Sequence, residues 1–155
     1  MSGKCCFFIG HGAALAEIYP ALYASVEQHI WENGVTKFIV GYYGGFDRFA
    51  ASAFKEVKRF HPVVKLTLLL PYHPPKRHIP KPDGFDGTFY PPGMESVPRK
   101  VAIVRANRYV VDHIAYLIAY AWHPASNVRE LVEYAKRRVK KGSLFITVIK
   151  HNDST

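Results

Sequence analysis

The sequence predicts an α/β protein, a Rossmann-like doubly wound sandwich with a mainly parallel sheet of about five strands. Short apolar runs alternate along the chain with longer segments whose apolar residues recur every three or four positions, which is helical spacing. The runs are apolar throughout, as is typical of parallel strands covered on both faces. A length of 155 residues fits a single domain spanning 1–155.

Each predicted strand is a short apolar run next to a turn signal. The run 63–70, which reads VVKLTLLL, is the clearest of them. A polar tail follows the last run and is expected to fray from residue 150 onwards. The five predicted strands cover residues 4–9, 38–40, 63–70, 115–121 and 143–149.

The predicted helices lie between these strands. Gly34, Pro62 and Gly142 are stop signals behind the first, second and last helix, and Ser126 or Asn127 is the expected cap of the last. The first helix carries its apolar side chains at helical spacing on Leu15, Ile18, Leu22, Val26 and Ile30. The four predicted helices cover residues 13–32, 46–60, 99–113 and 126–141.

The segment 71–98 breaks this alternation. It contains eight prolines and three glycines and shows little periodicity. A long loop without secondary structure is uncommon inside a compact domain and is often functional. The segment is therefore predicted to be a loop that serves as a lid or as a subunit contact.

The charge balance favours anionic partners. There are 21 Lys and Arg residues against 12 Asp and Glu, a net charge of +9, which suits nucleotides, nucleic acid or a membrane surface. The densest basic run is interpreted as a solvated helix end, where it complements the helix dipole, in preference to a nucleic-acid patch. This run consists of Lys136, Arg137, Arg138, Lys140 and Lys141.

The cysteines and histidines predict neither a disulfide nor a metal site. Cys5 and Cys6 are adjacent in a predicted strand, so their side chains should point to opposite faces of the sheet. The eight histidines show no HxH or HExxH spacing. Reduced thiols and the lack of a signal-peptide pattern predict a cytoplasmic protein, and the lack of a long apolar run predicts that it has no membrane span. No cofactor is expected.

Four loops that follow the strands are expected to converge on one edge of the sheet, because ligands of open parallel sheets bind beyond the carboxyl ends of the strands. They are rich in glycine, histidine, aromatic and small polar residues. The candidate ligand-binding residues on these loops are Gly10, His11, Gly12, Tyr43, Gly44, Gly45, Phe46, Asp47, Tyr72, His73, His123, Ser126 and Asn127.

Several of these residues have two interpretations. The glycines at 41–45 lead into a helix, where they either let a phosphate approach exposed amides or form a tight turn against a neighbouring loop. Asp47 either binds a ribose hydroxyl or takes part in catalysis, or it caps the helix or pairs with Arg48. Arg105 and Arg108 share a helix face and either clamp a phosphate or form ion pairs. The aromatic residues of the loops either stack on a base or pack at the rim.

Four segments together resemble the SLOG superfamily, and most closely its small single-domain members from bacteria and phages. They are CCFFIGH at 5–11, VGYYGGFDR at 40–48, VPRKVAIVRANRYVVDH at 97–113 and LIAYAWHPASN at 117–127. The superfamily also holds the LOG phosphoribohydrolases and the DNA-processing protein A group. The resemblance implies a Rossmann-like fold and a site for a nucleotide or a nucleotide-derived ligand. Some relatives sense NAD-derived signals in antiphage defence.

The chain departs from the motifs of its relatives at two places. LOG enzymes carry PGGxGTxxE, whereas the corresponding segment here reads YYGGFDRFAAS, which keeps the glycines but has no glutamate at that offset. Asp47 stands earlier, which resembles the GxD-type turn of the DNA-processing group. Small members often read GHR after the first strand, where this chain has Gly12.

The predicted function is binding of a nucleotide or an NAD- or ADP-ribose-like ligand, as a sensor or a sequestering protein. The first alternative is an N-glycosidase or phosphoribohydrolase, for which Asp47 and Glu95 are the candidate carboxylates. The second alternative is a DNA-binding protein. Apolar residues at Val101, Val104 and Val111 predict, in addition, that the protein forms a homo-oligomer.

Overall fold

A computed structural model describes residues 4–41, 44–72, 84–121 and 127–150. It confirms the predicted class, an α/β Rossmann-like sandwich with a parallel sheet. The strands are β1 (Cys5–Gly10), β2 (Lys37–Val40), β3 (Lys65–Leu69), β4 (Gly87–Phe89), β5 (Tyr116–Tyr120) and β6 (Phe145–Val148). The helices are α1 (Tyr19–Asn33), α2 (Gly45–Lys58), α3 (Ala102–His113) and α4 (Asn127–Lys140).

The sheet is doubly wound around β1. The six strands are all parallel, in the order β4-β3-β2-β1-β5-β6. The chain builds outwards from β1 to β4 and then returns to place β5 on the other side of β1. This reversal of strand order creates a crevice at the carboxyl ends of β1 and β5, where open α/β sheets bind their ligands.

The helices cover both faces of the sheet. α1 and α2 pack on one face, against a cluster that includes Cys6, and α3 and α4 pack on the other, against a cluster that includes Cys5. The two adjacent cysteines therefore point in opposite directions, as the sequence predicted. Both thiols are buried and free, and burial raises the pKa of each.

The strand β4 was not predicted, because it lies within the segment 71–98 that was interpreted as a loop. It pairs with β3, and the carboxylate of Asp86, the residue before it, adds further contacts. The Asp86 side chain accepts hydrogen bonds from the Leu66 amide at 2.8 Å and from Lys58 Nζ at 2.9 and 3.0 Å, and the Asp86 amide donates to the Leu66 carbonyl at 2.8 Å. Burial raises the pKa of Asp86, but these hydrogen bonds and the lysine charges outweigh it, so that its pKa is lowered.

Two helices begin later than predicted. α1 starts at Tyr19 after a short 3-10 turn at Ala16–Ile18, and α3 starts at Ala102 after another at Arg99–Val101. The predicted stop signal at Gly34 is confirmed, because this residue ends α1 in the left-handed conformation at a φ of 69°, which glycine adopts without steric cost.

The three valines on which the prediction of a homo-oligomer rests differ in burial. Val111 is fully buried in the core, Val104 is half-buried, and only Val101 remains exposed, at 37%. The spacing of these residues thus reflects packing on the sheet. Among the described residues, no helix is long and apolar enough to span a membrane.

Candidate functional site

A pocket of about 300 Å³ lies at the carboxyl ends of β1 and β2, beneath α3 and the first turn of α4. It adjoins the crevice between β1 and β5, because β1 and the first turn of α4, the helix that follows β5, both line it. The described residues that line it are Phe7, Phe8, Ile9, Gly10, Gly12, Gly41, Gly44, Asp47, Lys100, Ile103, Val104, Asn107, Arg108, Val128, Glu130 and Leu131.

The lining combines an apolar wall with a small polar set. Ile9 of β1 and the aliphatic side chains of α3 and α4 form the wall, while Asp47, Lys100, Asn107, Arg108 and Glu130 supply two carboxylates, two cations and an amide. A mostly apolar pocket with a few convergent polar groups is the usual composition of a small-molecule site. Asp47 comes from the first turn of α2 and is half-buried.

The glycines at the start of α2 are required by a neighbouring loop. A Cβ atom on Gly44 would stand 2.5 Å from Gly12 Cα, and one on Gly45 would stand 2.8 Å from the Gly12 carbonyl oxygen. The Gly45 amide donates a 2.8 Å hydrogen bond to that same carbonyl. The loops after β1 and β2 therefore touch backbone to backbone, and the Gly45 amide is already occupied within the protein.

Gly10 and Phe46 have a packing role. A Cβ atom on Gly10 would lie 2.2 Å from Cγ of Phe46, so the absence of a side chain at Gly10 is what admits the phenyl ring. Phe46 is fully buried and stacks on Tyr120 with centroids 6.0 Å apart. Its side chain belongs to the core on the α1 and α2 face, and only the backbone of Gly10 reaches the pocket.

His11 lies beside the pocket. Its ring is half-buried and meets the edge of Tyr120 at 5.7 Å between centroids, and its amide donates to the Tyr120 carbonyl at 3.3 Å. Tyr72 is half-buried and is covered by the guanidinium of Arg99, which lies 4.4 Å from the ring centroid. Neither side chain is part of the described lining.

The two arginines of α3 that were expected to act together are separated. Arg108 lines the pocket and lies over the ring of Tyr134 at 5.1 Å, whereas Arg105 is exposed and does not belong to the described lining. Tyr43, His73, His123 and Ser126 lie outside the described residues. Asn127 is described only as the first residue of α4.

Three polar lining residues were missed by the sequence analysis: Lys100, Asn107 and Glu130. Asn107 was identifiable in principle, because positions 103, 104, 107 and 108 share a helix face and 108 was already a candidate. Glu130 stands in the first turn of α4, next to a predicted binding loop. Glu95, the carboxylate considered earlier, is exposed in the turn Met94–Ser96 and is not in the described lining.

The basic run near the end of α4 is partly structural. The guanidinium of Arg138 donates to the carbonyl of Val111, to that of Ile114 at 3.1 Å and to that of Ser143 at 3.3 Å. Lys136 pairs with Glu133 at 3.1 Å. Arg138 therefore ties the end of α3 to the turn before β6, and its charge is not available as part of an open patch.

The fold and the pocket define the class of protein: a Rossmann-like α/β domain with a small, mixed-charge pocket at its topological switch point. No model of a known protein family matches the chain, and no curated protein matches it. The resemblance to the SLOG superfamily therefore remains a prediction. In the described part of the chain, no group of three or more His, Cys, Asp or Glu residues could hold a metal ion.

Proposed function

We propose that the protein binds a nucleotide or a nucleotide-derived ligand in this pocket, as a sensor or a sequestering protein. The observation that carries the proposal is the presence of Asp47, Lys100 and Arg108 in one pocket at the switch point of the sheet. A nucleotide requires a hydrogen-bond acceptor for its ribose, cations for its phosphate and an apolar surface for its base.

Each of these requirements has a matching group. The carboxylate of Asp47 accepts hydrogen bonds from ribose hydroxyls, and Lys100 and Arg108 attract the phosphate. The aliphatic side chains of Ile103 and Leu131 offer an apolar surface to the base. A volume of about 300 Å³ is at the lower end for small-molecule sites, which favours a mononucleotide moiety inside the pocket.

Ligand binding is tested by a thermal-shift screen against nucleoside monophosphates, NAD and ADP-ribose, because a ligand that binds only the native state stabilises it. Affinities are then measured for Asp47→Asn and Lys100→Gln, with Lys140→Gln as the matched control on the exposed end of α4. We expect Asp47→Asn to weaken binding about tenfold or more, since hydrogen bonds to charged groups contribute about 1.5–3 kcal/mol, and Lys140→Gln to have no effect. Absence of a shift with every compound would refute the proposal.

A second candidate function is hydrolysis of an N-glycosidic bond in the same ligand. It is favoured by one specific observation, namely that two carboxylates, Asp47 and Glu130, line the same pocket. In glycoside hydrolysis one carboxyl group protonates or stabilises the leaving group while the other activates water or attacks the sugar.

Mass spectrometry of each ligand after incubation separates the two functions. A ligand that returns intact identifies a binder, and release of free base identifies an enzyme. If base is released, Glu130→Gln and Asp47→Asn should each abolish release while the protein stays folded. Unchanged release in both variants would exclude this pair of carboxylates.

A further inference from the structure

A second concavity lies next to the pocket, on the outside of α3 and α4. This arginine trough is an open depression of about 620 Å³ lined by Arg108, Arg129, Glu130, Glu133, Tyr134 and Arg137. Arg108 and Glu130 line both the pocket and the trough. The two cavities are therefore neighbours, and a phosphate bound at Arg108 would lie at the border of both.

Two of the three guanidinium groups are held in position. Arg108 lies over the ring of Tyr134 at 5.1 Å, and the hydroxyl of that tyrosine donates to the carboxylate of Asp112 at 2.8 and 3.0 Å. Arg129 pairs with Glu133 at 3.3 Å and donates to the Ala121 carbonyl at 3.3 Å. Side chains fixed in this way lose less conformational entropy when an anion binds.

Arg137 extends the same surface by one helical turn. It lies seven positions beyond Glu130 and three beyond Tyr134, and such spacings keep side chains on one face of a helix. It is exposed, and its positive charge acts on Tyr134 together with that of Arg108. The hydrogen bond to Asp112 and burial raise the pKa of Tyr134, so this phenol stays neutral beside a bound anion.

The charge balance of the trough is positive. The carboxylate of Glu133 is already shared between Arg129 and Lys136, at 3.3 and 3.1 Å. The lining holds three guanidinium groups against two carboxylates, those of Glu130 and Glu133, so its formal charge is +1. Arginine forks match phosphate oxygens in pairs, so a row of them fits a chain of phosphates better than a single carboxylate.

We propose that the arginine trough binds the second and further phosphates of a ligand whose nucleoside occupies the pocket. The inference rests on the proposed function and narrows the ligand to nucleotides with a diphosphate or longer phosphate chain. The same chemistry occurs in a nucleoside diphosphate and in a diphosphate that bridges to a second sugar, as in ADP-ribose. The pocket selects the nucleoside, and the trough selects the number of phosphates.

The test compares Arg137→Gln with Lys140→Gln, which removes an exposed positive charge from the same helix outside the trough. Affinities are measured for AMP, ADP, GMP, GDP and ADP-ribose, and for inorganic pyrophosphate alone. We expect each diphosphate to bind the unaltered protein about tenfold more tightly than its monophosphate. Arg137→Gln should remove most of that difference and leave the monophosphates unchanged, and Lys140→Gln should change neither.

The outcomes separate this inference from the proposed function. If monophosphates bind and diphosphates bind no more tightly, the trough is not a phosphate site, while the proposed nucleotide site in the pocket is retained. If no nucleotide binds, the proposed function fails, and with it the assignment of the trough. If Arg137→Gln weakens the binding of monophosphates and diphosphates equally, or weakens the binding of pyrophosphate no more than Lys140→Gln does, the assignment of the trough as a phosphate site is also refuted. Preference for ADP over ADP-ribose, or the reverse, identifies a terminal or a bridging diphosphate.

Discussion

Replacing Gly44 by alanine should destabilise the fold because its Cβ would collide with the backbone of the neighbouring loop. The new atom would stand 2.5 Å from Gly12 Cα, whereas non-bonded carbons prefer about 3.5–4.0 Å, so the two loops must part by roughly 1 Å. Overpacking of this kind costs about 1–3 kcal/mol. The displacement would also stretch the 2.8 Å bond from the Gly45 amide to Gly12, which adds about 1 kcal/mol.

We therefore expect Gly44→Ala to lower the free energy of unfolding by about 2–4 kcal/mol, measured by urea denaturation with an unchanged m value. In a chain of this length that corresponds to a fall in Tm of about 5–15 °C. The reason is steric alone, because Gly44 has a φ of −178°, which is extended backbone open to any residue.

Gly12→Ala is the matched control. Its Cβ would lie 3.9 Å from Gly44 Cα, which is ordinary van der Waals contact, and its φ is not positive. We expect a change of less than about 1 kcal/mol, with the sign open to slight stabilisation. Equal losses of stability in the two variants would refute the argument. A stable Gly44→Ala protein that no longer binds nucleotide would show that the glycine serves the ligand and not the loop.

Three further predictions concern ionisable and thiol groups. Asp86→Asn should lower the free energy of unfolding by about 1–2 kcal/mol at pH 7. Because the pKa of Asp86 is lowered in the folded protein, the stabilisation by its carboxylate is present above the unfolded pKa of about 4 and is lost as the pH falls through the folded pKa. The free energies of unfolding of the two proteins, measured by urea denaturation, should therefore converge in acid. His29 is buried, its Nδ1–H donates to the Ser25 carbonyl at 2.6 Å, and burial lowers its pKa. The unfolded chain therefore binds more protons than the folded one, and the free energy of unfolding should fall as the pH drops below about 6.5. His29→Gln should reduce this dependence on pH. Because burial raises the pKa of the Cys5 and Cys6 thiols, a disulfide reagent at pH 8 should label neither until the protein unfolds, and rapid labelling of the native protein would contradict the packing.

The fold could be predicted where burial requires a recognisable pattern of apolar residues in the sequence. Five strands are continuous apolar runs because both faces of the sheet are covered, and the structure contains all of them. The strand that was not predicted, β4 (Gly87–Phe89), has only three residues, lies at an edge of the sheet and contains no such run. It pairs with β3, and the carboxylate of Asp86 anchors it through hydrogen bonds to residues 20 and 28 positions away. Contacts at such separations leave no local pattern in the sequence.

The candidate site could be predicted only as far as its edge of the sheet. Parallel strands place their carboxyl ends together, so loops could be assigned to that edge without coordinates. Which side chains enter the pocket depends on how each helix is rotated about its axis. That rotation turns Phe46 into the core and brings Asn107 and Glu130 into the lining, and three-dimensional packing decides it.

The hydrogen bonds that Arg138 donates to three backbone carbonyls have a consequence for mutational surveys. By sequence and charge this residue belongs with the solvent-facing basic residues of α4, yet its two terminal nitrogens donate to carbonyls at the end of α3 and in the turn before β6. In a saturation library it should tolerate replacement as poorly as a core position does, and lysine should not rescue it, since one ammonium group cannot span the same carbonyls. A survey that locates binding surfaces by the sensitivity of basic residues to substitution would then wrongly assign Arg138 to a binding surface, although its role is structural.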